Sequence, residues 1–368
     1  MKHIVKAYKY KLSPTVKQRN KLNQAIGCAR FIYNWGLSVR KDAYERDKSK
    51  VTYVDTAKML TSLKQQEEYK WLKDAAVESL QQSLRCLDAA FANFFRDKSA
   101  GYPKFKSKRK SRESVKYVNR VHFDFSAWRV QIPKVGKVKL CKNRAFDQGV
   151  WKAKTLTVHK DKCGGYWCTV VVHGDIEERP KTKVEPQSAV GIDVGIKAFA
   201  TLSDGSAIEN PKFLRRHERK LARLQRCFSK TQKGSNRREA MRLKIARLQR
   251  RIADKRYDFL QKATTALIRA YDTICLESLK VGNMMKNHHI AKSIQDASWY
   301  EFKRQLIYKA DWHGKNVLQV DAFFPSSKTC GCCGYKNDEL KLSDRFWACP
   351  QCGAVLERDP QCGAQHQE

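Results

Sequence analysis

Three carboxylates in this chain could do chemistry together. Asp193 lies inside Val190-Gly191-Ile192-Asp193-Val194-Gly195, a short apolar run with glycines on either side. That pattern predicts the end of a buried strand where backbone or substrate comes close. Glu277 ends a second apolar run, Thr273-Ile274-Cys275-Leu276-Glu277, and Asp359 follows Arg358. A lone Asp at a strand end usually serves structure; company changes the reading. Acids brought to one point by separate elements repel one another unless cations sit among them, as in a two-metal phosphodiester site.

The cysteines make a second constellation. Cys330-Gly331-Cys332-Cys333 is followed, after fifteen residues, by Cys349-Pro350-Gln351-Cys352-Gly353. Two such knuckles bring four thiolates within tetrahedral reach of one Zn²⁺. Cys330, Cys333, Cys349 and Cys352 are the expected ligands, and Cys332 is out of register. Four protein ligands leave no open position, so the expected zinc site is structural. The other eight of the thirteen cysteines are scattered singly, which points to a reducing, cytoplasmic setting rather than a disulfide framework.

The elements that must position these residues are strongly basic. The chain has 368 residues, 74 Lys and Arg against 37 Asp and Glu, and a formal net charge of +37. Solubility does not need such an excess, and a polyanion such as nucleic acid does attract it. A membrane surface is the competing partner, but no apolar run is long enough to span a bilayer and no signal-peptide pattern opens the chain.

Residues 6–12 alternate as an edge strand would, and Ser13-Pro14-Thr15 stops it. The period then turns helical, with Leu22, Ile26, Ala29, Tyr33 and Leu37 on one face. Further helices are expected over 53–63 and 75–95, the latter with Val77, Leu80, Leu84, Leu87, Phe91 and Phe94 as its apolar stripe. Gly101-Tyr102-Pro103-Lys104-Phe105-Lys106-Ser107-Lys108-Arg109-Lys110 interleaves cations with aromatics, which suits phosphates and stacked bases but equally a solvated loop. Alternating runs over 121–125, 129–132, 137–140, 154–159 and 166–173 predict an all-β, barrel-like unit that closes with the first strand.

After a charged, proline-bounded linker at 177–186 comes the Asp193 strand, a hairpin, and two basic helices broken near Lys233-Gly234-Ser235. Leu221, Leu224, Leu243, Leu248 and Ile252 face inward, and the one-sided charge of the outer face suits a nucleic-acid track. The Glu277 strand, a helix over 298–312 and a strand over 317–321 complete the outline of an RNase H-type α/β fold.

These residues together resemble the TnpB (also OrfB) family, transposon-encoded relatives of the type V CRISPR effector nucleases. The resemblance rests on Tyr8-Lys9-Tyr10-Lys11-Leu12-Ser13-Pro14-Thr15, Gly27-Cys28-Ala29-Arg30-Phe31-Ile32-Tyr33-Asn34-Trp35 and the 101–108 segment. It rests also on Gly191-Ile192-Asp193-Val194-Gly195 with Ile196-Lys197, on Leu276-Glu277-Ser278-Leu279, and on Phe324-Pro325-Ser326-Ser327 before the knuckles. It implies a multidomain α/β and β-barrel protein: a wedge-type barrel (1–13 and 100–180) interrupted by a helical recognition block (14–99), a RuvC-like nuclease domain (186–325 and 354–368), and an inserted zinc ribbon (326–353). It implies an RNA-guided DNA endonuclease, with a guide RNA from the transposon end and a double-stranded DNA target as partners. Asp193, Glu277 and Asp359 would hold two Mg²⁺ ions, while Tyr53 and Gln81 would touch the DNA flanking the target. Lys104, Lys106, Lys108, Arg109 and Lys110 would meet nucleic acid.

One stretch departs from the family, whose last acid is followed by x-Asn-Ala-Ala-x-Asn-Ile and a further tail. Here Asp359 leads to Pro360-Gln361-Cys362-Gly363-Ala364-Gln365-His366-Gln367-Glu368. Codons for these residues permit Leu-Asn-Ala-Ala-Leu-Asn-Ile-Lys one nucleotide later, so a frameshift just after Asp359 is expected. The alternative function is therefore a cleavage-defective remnant that holds guide RNA and DNA without cutting. A DNA-joining transposase is a third class, but no Tyr or Ser nucleophile site stands out.

Overall fold

The computed structural model describes residues 1–97, 99–108, 111–118, 121–320, 328–330, 332–340 and 346–357. The chain divides into two compact units, Met1–Glu177 and Glu178–Glu368.

The first unit opens with β1 (Lys2–Ser13), which Pro14 ends, and the long helix α1 (Val16–Asp47) follows at once. A capping box starts the helix: Thr15 Oγ1 accepts the Gln18 N–H at 3.3 Å and the Gln18 side chain accepts the Thr15 N–H at 3.1 Å. Helix α2 (Tyr53–Leu63) starts the same way on Thr52 and Asp55, a 3₁₀ stretch covers Glu67–Asp74, and α3 (Val77–Arg96) returns along α1. The expected α1 stripe is buried throughout. Gly36 lets the two helices touch, because a Cβ there would lie 2.7 Å from Leu84 Cδ2. The α3 stripe is core at Leu80, Leu84 and Leu87 but not at its ends. Val77 is 49% exposed at the first turn, and Phe91 and Phe94 are only half-buried.

The sheet strands are β2 (Glu113–Val118), β3 (His122–Asp124), β4 (Arg129–Ile132), β5 (Gly136–Leu140), β6 (Lys152–Lys160) and β7 (Tyr166–Ile176). With β1 they form one antiparallel sheet in the order β2-β6-β7-β1-β5-β4-β3. β1 is thus interior rather than an edge: it pairs β7 from Lys2 to Leu12 and β5 at Leu12 and Ser13. The sheet curls. Tyr10 on β1 and Phe123 on β3 are three strands apart, about 14 Å in a flat sheet, yet their ring centroids are 5.9 Å apart. The concave face buries Tyr10, Leu12, Tyr117, Val130, Leu156 and Val170.

The second unit carries β8 (Ala189–Val194), β9 (Ala198–Leu202) and β10 (Ala207–Glu209), then the helices α4 (Phe213–Ser229) and α5 (Asn236–Ala270). Next come β11 (Thr273–Glu277), α6 (Val281–Met284), α7 (His288–Ala297), α8 (Trp299–His313) and β12 (Asn316–Val320). The strand order is β10-β9-β8-β11-β12, with β8, β11 and β12 parallel and β9 reversed. One face of the sheet (Val190, Ile192, Ile274, Leu276) packs on Leu260 and Leu267 of α5 and on Phe302 and Leu306 of α8. Of the inward leucines expected on the basic helices, Leu248 and Ile252 are buried, whereas Leu221, Leu224 and Leu243 are half-buried. The hairpin β13 (Phe346–Ala348) and β14 (Val355–Glu357) belongs to the cysteine region.

Candidate functional site

Asp193 and Glu277 reach one place because their strands are parallel neighbours. Ladder pairs run from Thr273↔Ala189 to Leu276↔Ile192. Asp193 and Glu277 each stand one residue further on, at matching positions at the C-terminal ends of β8 and β11. Partners in a parallel ladder share a face, and adjacent strands lie about 4.8 Å apart. That spacing sets the two acids at neighbouring backbone positions on adjacent strands. Both are half-buried. Burial alone pushes the Glu277 carboxyl above the usual carboxylate range. A cavity of about 340 Å³ opens beside it, lined also by Ile192, Trp299, Tyr300, Lys303 and Arg304. Half-buried carboxylates at neighbouring strand ends are hard oxygen donors of the kind Mg²⁺ accepts, and a divalent ion would relieve the cost of burying the Glu277 charge. The third expected acid, Asp359, lies outside the described residues.

The four expected cysteines converge: their sulfur atoms all lie within 4.8 Å of one another. Cys330 and Cys352 are 3.6 Å apart at sulfur, as are Cys333 and Cys349. A tetrahedral ion with metal–sulfur bonds of about 2.3 Å sets its ligands about 3.8 Å apart, so the four could hold a metal ion with little movement. Two matching turns build the site. Gly334 donates to Cys330 O at 2.9 Å and Gly353 to Cys349 O at 2.8 Å. Their φ angles are 74° and 72°, conformations that favour glycine. Burial opposes ionisation of Cys330, yet the amides of Cys332 and Cys333 and the neighbouring thiols outweigh it and lower its pKa to about 6. Cys332 is exposed and stands outside the cluster, as its register implies.

The residues expected to meet nucleic acid fall in two groups in the first unit. Tyr53 begins α2 and Gln81 is exposed on α3. One turn beyond Gln81, the Arg85 guanidinium lies 4.8 Å from the Tyr53 ring centroid, which puts all three on neighbouring surface. Arg85 is an addition that helix spacing (i, i+4 from Gln81) could have suggested. Lys104 and Lys108 are exposed on an irregular segment. Lys106 turns inward instead, its ammonium 3.6 Å from the Tyr33 ring centroid, and burial lowers its pKa. Asn34 of α1 holds that segment by both ends of its amide: Nδ2 donates to Lys106 O at 2.9 Å and Oδ1 accepts the Lys106 N–H at 2.8 Å. Arg109 and Lys110 lie outside the described residues, and so does Phe324-Pro325-Ser326-Ser327. No helix among the described residues is long and apolar enough to cross a membrane.

Three family models match this chain. One described as "Probable transposase" covers residues 171–288, one described as "Helix-turn-helix domain" covers 1–49, and one described as "Cas12f1-like, TNB domain" covers 299–364. Residues 1–49 fold here as β1 and the single helix α1. A Streptomyces pristinaespiralis protein described as "Putative RNA-guided DNA endonuclease" is 39% identical over 360 residues, 98% of this chain and 88% of its own. An Escherichia coli K12 protein, "Putative RNA-guided DNA endonuclease InsQ", is 34% identical over 361 residues, 94% of this chain and 87% of its own. Among solved structures, the Cas12f1 chain of a complex with sgRNA and target DNA matches with a TM-score of 0.52 at 12% identity, over 100% of this chain and 99% of that one. At that identity the likeness is one of fold.

Proposed function

The chain belongs to the TnpB (OrfB) family, whose members resembling it carry the description RNA-guided DNA endonuclease, and on that premise we propose that it cuts DNA selected by a bound guide RNA. The observation that carries this reading is that Asp193 and Glu277 each stand one residue beyond the last ladder pair of two adjacent parallel strands, at their C-terminal ends. The strand order β10-β9-β8-β11-β12, with β9 alone reversed, supports naming the second unit a RuvC-like, RNase H-type nuclease. The curled sheet of the first unit corresponds to the wedge barrel, and α1 to α3 to the recognition block.

Asp193, Glu277 and Asp359 would hold two Mg²⁺ ions, which supply Lewis-acid activation of the attacking water and charge stabilisation at the leaving oxygen. The half-buried carboxylates of the chain fix where the scissile phosphate must sit. Cys330, Cys333, Cys349 and Cys352 would hold Zn²⁺, a closed site that shapes the segment leading to Asp359. Tyr53, Gln81, Lys104 and Lys108 would grip nucleic acid, and base pairing with the guide would select the target.

The test begins with the full chain expressed beside its flanking transposon DNA. RNA that co-purifies is sequenced, and cleavage of a matching duplex is measured in Mg²⁺. Asp193→Ala and Glu277→Ala should each lower cleavage by at least about a hundredfold while leaving RNA bound. Full cleavage by either variant overturns the assignment. The departure of the sequence after Asp359 favours a second reading, in which the chain holds RNA and DNA without cutting. Activity that appears only when the frame after Asp359 is restored would select that reading.

A further inference from the structure

The apolar stripe of α3 continues past the core. Beyond Leu80, Leu84 and Leu87, the same helical spacing gives Phe91, then Phe94 and Phe95. Phe91 is anchored against Tyr33, Leu37 and Leu87. Phe95, in the last turn, is 76% exposed. The loop that follows brings Tyr102 back to these rings. It stands edge-on to Phe91, centroids 5.5 Å apart at 86°, and edge-on to Phe94, 5.5 Å apart at 81°. Phe94 and Phe95 meet edge-on at 5.2 Å. Pro103 is buried, and the Asn34 bridge to Lys106 holds the loop where it lies. Tyr102 is nonetheless 45% exposed.

Single exposed aromatics need no explanation, but rings set against one another at a fixed angle and left open to solvent do. The surrounding charge says what covers them. From Phe91 to Lys108 the sequence holds five cations and one carboxylate, Asp97, and among the described residues Arg96, Lys104 and Lys108 are the exposed cations, Lys106 being turned inward. The Asp97 carboxylate is occupied locally by the Ser99 N–H at 2.9 Å and its hydroxyl at 2.7 Å. A second copy of this chain would bring cations against cations. Bases within duplex DNA are stacked on one another and offer no free face. A folded RNA has unpaired bases, each with a π-face and a flanking phosphate, and these match rings bordered by lysines.

We propose that Phe95 and Tyr102 form a stacking platform for unpaired bases of the RNA this chain carries. The proposal rests on the reading of the chain as RNA-guided, and it assigns a particular surface to the scaffold rather than to the target. Phe91 and Phe94 are the fixed support, and Lys104 neutralises the adjoining phosphate.

The probe is an unstructured RNA of roughly 12 nucleotides carrying one 2-aminopurine, compared with the same sequence as a DNA strand and as an RNA duplex. Phe95→Ala and Tyr102→Ala should each weaken the unpaired RNA about tenfold and abolish the fluorescence quenching that stacking causes. Phe95→Tyr should bind as the parent does, and Phe95→Leu should bind as the alanine variant does. The loss should persist as salt is raised, because stacking releases no counterions, whereas the loss in Lys104→Gln should shrink. Phe95 is open to solvent, so unchanged thermal melting accompanies its replacement. Unaltered RNA affinity in Phe95→Ala, full binding by Phe95→Leu, or an equal loss on the duplex each overturn the platform. So does a change in oligomeric state with RNA binding intact. A parent chain that binds no RNA is a different outcome: it removes the RNA-guided reading and the platform with it.

Discussion

Arg256 and Asp296 form an ion pair at 2.6 Å that ties α5 to α7, and the second oxygen of Asp296 accepts the Leu214 N–H of α4 at 2.8 Å. Helix α4 has no cap of its own, since Lys212 precedes it in a left-handed conformation without a side-chain hydrogen bond. Asp296 therefore caps α4 from another helix and places a negative charge where the helix dipole favours one. The carboxylate side chain is 9% exposed and the guanidinium 21%. Removing one partner leaves the other desolvated and unpaired, which costs about 3 kcal/mol. Asp296→Ala should lower the Tm of the second unit by about 9 °C. A calorimetric scan in which that transition is unmoved would show that the pair holds nothing together.

The cysteine site makes a prediction about metal. Its sulfur atoms are already spaced close to the distances a tetrahedral ion sets, and each of its two turns is closed by a backbone hydrogen bond. The purified chain should carry one equivalent of zinc, and Cys349→Ser should lose it, because Cys349 is a buried member of the cluster. Its loss should raise protease sensitivity near 328–357 while leaving the first unit intact. Metal content by mass spectrometry and limited proteolysis read this directly. Zinc retained in full by Cys349→Ser would place the metal elsewhere.

Local physics made much of this legible in the sequence. The α1 stripe and the cysteine knuckles depend on neighbours a few residues away, so spacing alone locates them. Strand β2 was missed because Glu113-Ser114-Val115-Lys116-Tyr117-Val118 follows a basic run that reads as loop, and α7 because only Ile290 and Ile294 mark its apolar face. The acids were legible as motifs, yet their adjacency depends on a parallel ladder that no short pattern encodes. Periodicity assigns Phe91 and Phe94 to the core because it reports a face and not what covers it. The segment of Lys106 suggests a phosphate contact because nothing within it shows that Tyr33 lies beneath the ammonium.

Lys309 gives a pH prediction away from the acids. It is 8% exposed, and its ammonium donates to Gln261 O at 3.0 Å, Thr264 Oγ1 at 2.7 Å and Thr265 Oγ1 at 2.8 Å. Burial lowers its pKa to about 8 from an ordinary value of 10.5. Between those values the unfolded chain binds more protons than the folded one, so this group makes stability rise with pH across that window. Both threonines also donate to backbone carbonyls of α5, Thr264 to Leu260 and Thr265 to Gln261, and stay satisfied without the lysine. Lys309→Met should therefore flatten the dependence of Tm on pH above 8 and stabilise the protein at neutral pH. An unchanged slope would mean that Lys309 is not the titrating group.

Glu277 turns the same linkage toward function. Burial raises its carboxyl, so the group's contribution to folding is full at acid pH and is lost as pH rises through the folded-state value. Above that folded-state value the metal-free protein carries a half-buried negative charge, a cost that a bound cation would relieve. Glu277→Gln keeps the shape and removes the charge. It should raise the Tm of the metal-free protein more as pH rises through the folded-state value of Glu277 than at acid pH, where the parent carboxyl is protonated. Added Mg²⁺ should stabilise the parent and not the variant, because binding to the folded state alone shifts the melting equilibrium. Scans at two pH values with and without Mg²⁺ decide the matter. A variant that is less stable at neutral pH, or one that still responds to Mg²⁺, would mean that Glu277 serves the fold and not the ion.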